Sequence, residues 1–548
     1  MNPPISRILR TPCEARAGPS KPSVRRSRCG ISRNGSRASP AHAIRRIDAP
    51  EYRSPKAVIV AGSRTRRRPL WRRAFRAGAL ALGLPTAALL GLGCFDGGSG
   101  PPPSILLIVV DTLRADAVSA YGNGLGTTPT LDALAAQGQL YTRAYAPSPW
   151  TVPSHASLFT GLAIDDHGVG LHGRVVLPET ATTLAERLGA AGYETAAFSE
   201  NALISADFGF DQGFAHFAVR TAEQQMDAGE KKSIDVVDEV TRWLRVRDPQ
   251  RPFFVFINLY DAHEPYAIRA SNPFLPAGIT TADARRLEAG RRTSHLICDR
   301  LPGETPLRIL RGLYLGEVAS ADRKVKAILT LLEATGVDNL ITLVTSDHGE
   351  HFGEHRLLDH EFSVHEEVLR IPLVVHGASV EAAQIDAPTE LRAVARTLVD
   401  WAGADSTGLT APGLPPESAA QPPVDLVAVY SDHRMRLPPA FDADAAQKVQ
   451  DFKRQACGDT DRVFGDMLAL TRYPFRLNWY ARYPSEMVDL RSGGGSSDSL
   501  DPPSPELIAS LRAEAQGFAA RVGLGQARAP EPLTRESEEA LRSLGYID

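Results

Sequence analysis

Three polar groups in this chain stand where they could share one cation. Asp111 ends residues 105–110, six consecutive β-formers, and Asp347 and His348 follow the apolar run 340–345. A lone aspartate at a strand end is usually a helix cap or turn former. Several at one edge of one sheet can instead converge, and carboxylate oxygens with one imidazole suit zinc, manganese or calcium. A hydroxyl accompanies them. Thr151 lies in Pro147-Ser148-Pro149-Trp150-Thr151-Val152-Pro153-Ser154-His155, and Pro153 suits the first helical position. Thr151 is therefore expected just before a helix N-terminus. It is either an ordinary residue near a cap or, beside a divalent ion, a nucleophile with a lowered pKa. A helix end also favours a tetrahedral anion. Residues 347–365 hold five of the chain's 14 histidines. For His351, His355 and His365 a solvated polar loop is the expectation.

The surrounding pattern tells what must position these groups. Runs 105–110, 139–145, 194–198, 252–259, 340–345 and 371–375 read as strands. Helical patterns fall at 130–137, 182–191, 236–246, 307–335 and 391–402. Wholly apolar strands alternating with helices predict an α/β fold, a large mostly parallel sheet with helices on both faces. Ligands in such folds bind beyond the carboxyl ends of strands, which singles out the residues after Val110, Leu259 and Thr345. Beyond residue 430 short strand candidates (427–430, 467–470, 475–480, 487–490) precede a helix at 505–521, a smaller C-terminal α+β subdomain. The expected division is 1–76 leader, 77–103 signal or anchor segment with linker, 104–430 catalytic domain and 431–548 C-terminal subdomain.

The formal net charge of −3 sums two unlike parts. Residues 1–76 carry 20 Lys+Arg against 3 Asp+Glu, and the remainder 41 against 61. So acidic a body excludes a broad nucleic-acid-binding surface. Five cysteines in 548 residues, with no CxxC, exclude a disulfide-stapled scaffold and a cysteine zinc site. Residues 1–57 read as a disordered basic arm, a transit-like segment or sequence upstream of the true start. Residues 64–76 hold seven arginines, and 77–92 are apolar around Pro85. That is a secretory signal pattern, short for a membrane span. Leu92-Gly93-Cys94 imperfectly resembles a lipoprotein box, and 97–103 reads as a tether. The expected location is outside the cytoplasm, periplasmic or at the outer surface, with a single membrane or lipid anchor as alternatives to a cleaved signal.

Four ordered segments resemble the sulfatase family of the alkaline phosphatase superfamily. They are Val109-Val110-Asp111-Thr112-Leu113-Arg114-Ala115-Asp116, the segment around Thr151, Tyr260-Asp261-Ala262-His263-Glu264-Pro265-Tyr266, and Ser346-Asp347-His348-Gly349-Glu350. The match spans roughly residues 104–548 and implies an alkaline phosphatase-like fold. The departures are informative. Family sulfatases convert a Cys or Ser to formylglycine, and Thr151 cannot give that aldehyde. His155 replaces the motif arginine, and Glu200 stands near the place of a sulfate-binding lysine, where a carboxylate would repel an anion. These changes point to the Thr-nucleophile branches, including phosphoethanolamine transferases, in which a histidine follows the Asp by thirteen residues, as His360 follows Asp347.

The resemblance implies a ligand set of Asp111, Thr151, Asp347 and His348 around one divalent metal ion, zinc, manganese or calcium. It implies Thr151 as nucleophile, His263 and His360 as groups that hold ester oxygens or protonate the leaving group, and His155 and His172 as substrate contacts. The expected function is metal-dependent hydrolysis of a small anionic sulfate or phosphate ester. A phosphoethanolamine-type transferase is the first alternative, although those relatives carry several membrane spans. A non-catalytic binding protein that keeps the fold is the second.

Overall fold

The computed structural model describes residues 102–220, 235–269, 271–291, 303–360, 362–416, 425–431, 465–492, 502–526 and 534–543. The leader, Cys94 with nearly all of the 77–103 segment, Cys298 and Cys457 lie outside them. The chain divides into Met1–Gly93 and Cys94–Asp548, and all described residues belong to the second unit.

Ser104–Val110 is apolar at every position after its first residue, and such a strand must be covered on both faces. It lies in the middle of an eight-stranded sheet. Across that sheet the order is Ala383–Ile385, Gln139–Tyr141, Leu373–Gly377, Leu340–Thr345, Ser104–Val110, Phe253–Leu259, Glu194–Ser199, His216–Val219. Only Leu373–Gly377 runs against the others. Alternate side chains divide between two cores. Ile105, Leu107 and Val109 pack on one face with Phe254, Phe256 and Leu343, under the helices Thr151–Thr160, Leu184–Ala190 and Ala393–Trp401. Leu106, Ile108 and Val110 pack on the other with Val255, Ile257 and Val344, under Val236–Leu244 and the long helix Glu304–Ala334. Each fully buried aliphatic side chain contributes roughly 1.5–3 kcal/mol.

Register brings the strand ends level. Val110 stands beside Leu259, Val109 beside Thr345, and Ser199 beside Asn258. Asp111, Glu200, Tyr260 and Ser346 therefore emerge at one sheet edge.

Two expected strands are divided. Pro372 cannot donate to a ladder, so the run at 371–375 breaks there. Arg370–Ile371 pairs with Ala144–Tyr145 in a small separate sheet, and Leu373–Gly377 joins the large one. Residues 139–145 divide likewise between Gln139–Tyr141 and Ala144–Tyr145. The helix Thr281–Arg291 has no clear signal in the sequence, because its eleven residues carry little apolar periodicity.

The C-terminal subdomain is a four-stranded antiparallel sheet, Leu426–Tyr430, Met467–Arg472, Phe475–Tyr480 and Glu486–Asp489 in chain order. It begins at Leu426, inside the stretch assigned above to the catalytic domain. Pro505–Val522 packs Leu511, Ala515 and Ala519 on Leu468, Leu470 and Leu477. This sheet reaches the segment that presents Thr151. Val429 N–H donates to Pro147 O at 2.9 Å, and Ser148 Oγ donates to Val429 O at 2.9 Å.

Candidate active site and metal centre

Asp111 and Asp347 are both fully buried, and each commits only one oxygen to the protein. Asp111 Oδ2 accepts from Asn201 Nδ2 at 2.7 Å. Asp347 Oδ1 accepts from the backbone N–H of Thr112 at 3.2 Å and of His348 at 3.0 Å. Asp111 Oδ1 and Asp347 Oδ2 have no hydrogen-bond donor among the described residues. Burial lifts the Asp111 carboxyl well above its ordinary pKa, and the neighbouring Asp347 charge adds to the rise. Two buried carboxylates, each with one oxygen undonated, make a good setting for a cation.

His348 completes the group. Its Nδ1 lies 3.0 Å from Gly349 O, and a carbonyl can only accept, so Nδ1 carries the proton. The Nε2 lone pair then faces Asp347 Oδ2 at 3.3 Å and Thr151 Oγ1 at 3.5 Å. Burial holds the imidazole down at about 4, against the pull of Asp347, so it remains neutral as a ligand must be. Ligand atoms of Asp111, Asp347 and His348 lie within 4.8 Å of one another. The residues present fit a divalent cation. Gly349 makes the loop feasible, since a Cβ there would sit 2.0 Å from Glu367 O.

Thr151 is the first residue of its helix, with Trp150 as the cap residue, rather than a residue before it. Its hydroxyl thus sits in the first turn, where unpaired N–H groups and the helix dipole favour negative charge. Every residue of Thr151–Thr160 is buried, which fixes the hydroxyl against the sheet edge.

The two other candidate histidines are also brought in. Ring centroids of His360 lie 4.6 Å from His348 and 4.9 Å from His263, and Tyr260 stacks on His263 at 4.3 Å. His263 Nδ1 donates to Glu264 O at 2.7 Å. Burial, then the charge of His360, depresses the His263 pKa well below its usual value. His360 behaves oppositely. Burial opposes its charging, yet Asp359, with Oδ1 2.8 Å from Nδ1, and Glu350, with Oε1 at 3.7 Å, outweigh that and raise its pKa well above normal.

Two candidates are engaged elsewhere. His155 was expected to touch substrate. Its Nδ1 donates to Thr151 O at 2.9 Å and lies 3.6 Å from Asp347 Oδ2. Phe159, Phe210 and Phe256 stand edge-on to its ring with centroids 6.0–6.3 Å away. It sits fully buried behind Asp347 and Thr151. His172 is tied to the C-terminal subdomain, Nε2 donating to Val522 O at 2.6 Å, since the last carbonyls of a helix need donors.

The remaining loop histidines are packed, not solvated. His351 Nε2 bonds Ser363 Oγ at 2.9 Å, His355 bonds Glu367 at 3.1 Å, and His355 stacks on His365 at 3.7 Å. Glu200 is not a bare repulsive charge. Lys324 Nζ meets its two oxygens at 2.7 and 2.8 Å and Asp261 Oδ2 at 2.5 Å. Burial and Asp261 still push Glu200 up to about 7. Sequence reasoning missed Lys324, which carries no motif on its helix. It also missed Asn201, and Asp359, whose only signal was its place beside His360.

A family model described as Sulfatase matches residues 103–404. An arylsulfatase of Clostridium perfringens is 25% identical over 360 residues, 55% of this chain and 75% of the relative. A phosphonate monoester hydrolase of Agrobacterium radiobacter superposes with a TM-score of 0.55 at 21% identity, covering 76% of this chain and 95% of that one. A protein whose structure was solved in complex with its substrate D-glucosamine-2-N,6-O-disulfate gives 0.57 at 18% identity, covering 77% and 98%. At such identities the superpositions speak for the fold alone. With more than half of its length matched by the family model, and its strand-end motifs gathered at one sheet edge, the chain belongs to the sulfatase family of the alkaline phosphatase-like superfamily.

Proposed function

We propose that this chain is a metal-dependent hydrolase of sulfate or phosphate esters that uses Thr151 as its nucleophile. The observation that carries this reading is the Thr151 hydroxyl, in the first turn of a buried helix, 3.5 Å from His348 Nε2 and beside two half-engaged carboxylates. Asp111, Asp347, His348 and Thr151 would hold the ion. A divalent cation there would supply Lewis acidity, lowering the hydroxyl pKa and offsetting the charge of the ester.

Thr151 Oγ1 gives its proton to solvent and attacks the phosphorus or sulfur in line, and the bond to the leaving alcohol breaks. Protonated His360 delivers a proton to the departing oxygen, while His263 stays neutral and contacts the ester. Environments that push two pKa values apart in this way separate acid from acceptor. Water then cleaves the threonine ester and restores the hydroxyl. The Thr151 carbonyl is steadied by the His155 N–H, and Asn201 keeps Asp111 turned.

The test is a panel of sulfate esters, phosphate mono- and diesters and phosphonates with zinc, manganese or calcium. Thr151→Ala should lose at least about 10³-fold in kcat, whereas Thr151→Ser should retain much of it. Full activity in Thr151→Ala would remove the scheme, and turnover only with an added acceptor alcohol would favour a transferase. The basic and apolar leader supports export with a membrane or lipid anchor, which protease treatment of intact cells tests.

A further inference from the structure

We propose that Lys324 is a positioning residue, which staples the ends of two neighbouring strands and so fixes the turn that carries His263. Glu200 follows Glu194–Ser199 and Asp261 lies just beyond Phe253–Leu259, two strands paired in parallel with Ser199 beside Asn258. Lys324 comes from the long helix Glu304–Ala334. Its Nζ donates to the two Glu200 oxygens at 2.7 and 2.8 Å and to Asp261 Oδ2 at 2.5 Å. An ammonium group has three donors, and the cluster offers it three carboxylate oxygens. The Glu200 and Asp261 side chains are only 3% and 5% exposed. Charge-assisted bonds so far from water are strong and directional, so they hold both strand ends to one point on the helix.

The clamp continues into the turn. Glu200 Oε2 also accepts the backbone N–H of Tyr260 at 3.0 Å, and the Glu200 N–H donates to Asn258 O at 3.1 Å. The chain then folds back, the His263 N–H donating to Tyr260 O at 3.3 Å. The Tyr260 ring stacks on the His263 ring, with centroids 4.3 Å apart and planes 17° from parallel. His263 is thus held by Tyr260, Tyr260 by Glu200, and Glu200 with Asp261 by Lys324. Two residues that the mechanism leaves unused gain a part, Asp261 of the Tyr260–Tyr266 motif and Glu200, whose carboxylate would otherwise repel an anion. The consequence for turnover rests on the ester-hydrolase reading. The placement of the His263 ring does not.

The experiment uses the metal-loaded full chain, Lys324→Met, and the neutral triple variant Lys324→Met/Glu200→Gln/Asp261→Asn. The triple variant strands no buried charge, so it should regain the stability that Lys324→Met loses, yet it lacks the three-way clamp. Histidine-selective ¹³C spectra, assigned with His263→Ala, should show the His263 ring protons shifted upfield by the Tyr260 face in wild type. In the triple variant they should move toward the values of an unstacked histidine. On the nitrophenyl ester turned over fastest, kcat/KM should fall about 10–100-fold in the triple variant, although its urea midpoint returns toward wild type. Adding the three substitutions to His263→Ala should cost less than about twofold more. Activity that recovers together with stability would leave the cluster a purely structural part, and it overturns the assignment. So does an unmoved His263 signal, or a full additive loss in the His263→Ala background. A bound metal equivalent lost in the triple variant would place the effect at the cation and overturn it too. If no ester is turned over, the hydrolase reading fails and the ¹³C spectra still decide whether Lys324 places the ring.

Discussion

Asn201 Nδ2 donates to Asp111 Oδ2 at 2.7 Å, and that bond leaves Oδ1 as the oxygen without a donor among the described residues. The two residues come from neighbouring regions of one sheet edge, Asn201 just beyond Glu194–Ser199 and Asp111 just beyond Ser104–Val110. Partners of this kind orient a ligand and commonly change metal affinity about 10–100-fold. Asn201→Ala should weaken metal binding by that much with the fold intact, as read by competition titration with a chelator. Unchanged affinity would mean that Asp111 is not a ligand.

Lys324 neutralises Glu200 and Asp261 together. Removing it in Lys324→Met strands two buried acids, which should cost about 3 kcal/mol in urea unfolding. Combining it with Glu200→Gln should recover a good part of the loss. A single variant as stable as wild type would show that solvent, rather than Lys324, balances the two acids.

Gly349 lets the chain pass Glu367, where an added Cβ would meet the carbonyl oxygen at 2.0 Å. Gly349→Ala must displace the loop that carries Asp347 and His348. Bound metal and turnover should fall together, with a lowered Tm, and normal metal stoichiometry in this variant would contradict the close approach.

His167 supplies a pH dependence remote from the metal ligands. Its Nε2 bonds Ser157 Oγ at 2.8 Å, and Nδ1 accepts the Val169 N–H at 3.0 Å, a neutral ring with both nitrogens engaged. Burial lowers its pKa from 6.5 to about 3. The unfolded chain therefore takes up this proton first, so the contribution to stability is full above pH 6.5 and is lost as pH falls toward 3. His167→Gln should be less stable at neutral pH, and its gap to wild type should narrow by up to about 1.4 kcal/mol per pH unit below that. Denaturant melts at intervals between neutral pH and pH 4.5 measure it, and a constant gap would refute a buried neutral ring.

Local pattern in the amino-acid sequence determined the central strands and the groups at their ends. Six apolar β-formers before Asp111, and the apolar run before Asp347-His348, allow few other structures, because a wholly apolar strand must be buried on both faces. Parallel strands then deliver their last residues to one edge, so Asp111, Asp347 and His348 were legible as a group, whereas His263 entered only through the resemblance of its motif. Only the tertiary structure decided what surrounds them. Lys324 reaches Glu200 from a helix more than a hundred residues away in the chain, and no local pattern encodes that encounter. His155 and His172 occupy motif positions, yet their roles depend on which walls close around them, three phenylalanines in one case and a helix end in the other. Strand runs are set by short-range periodicity. Side-chain partners are set by packing between distant segments, and a single sequence carries no direct record of that packing.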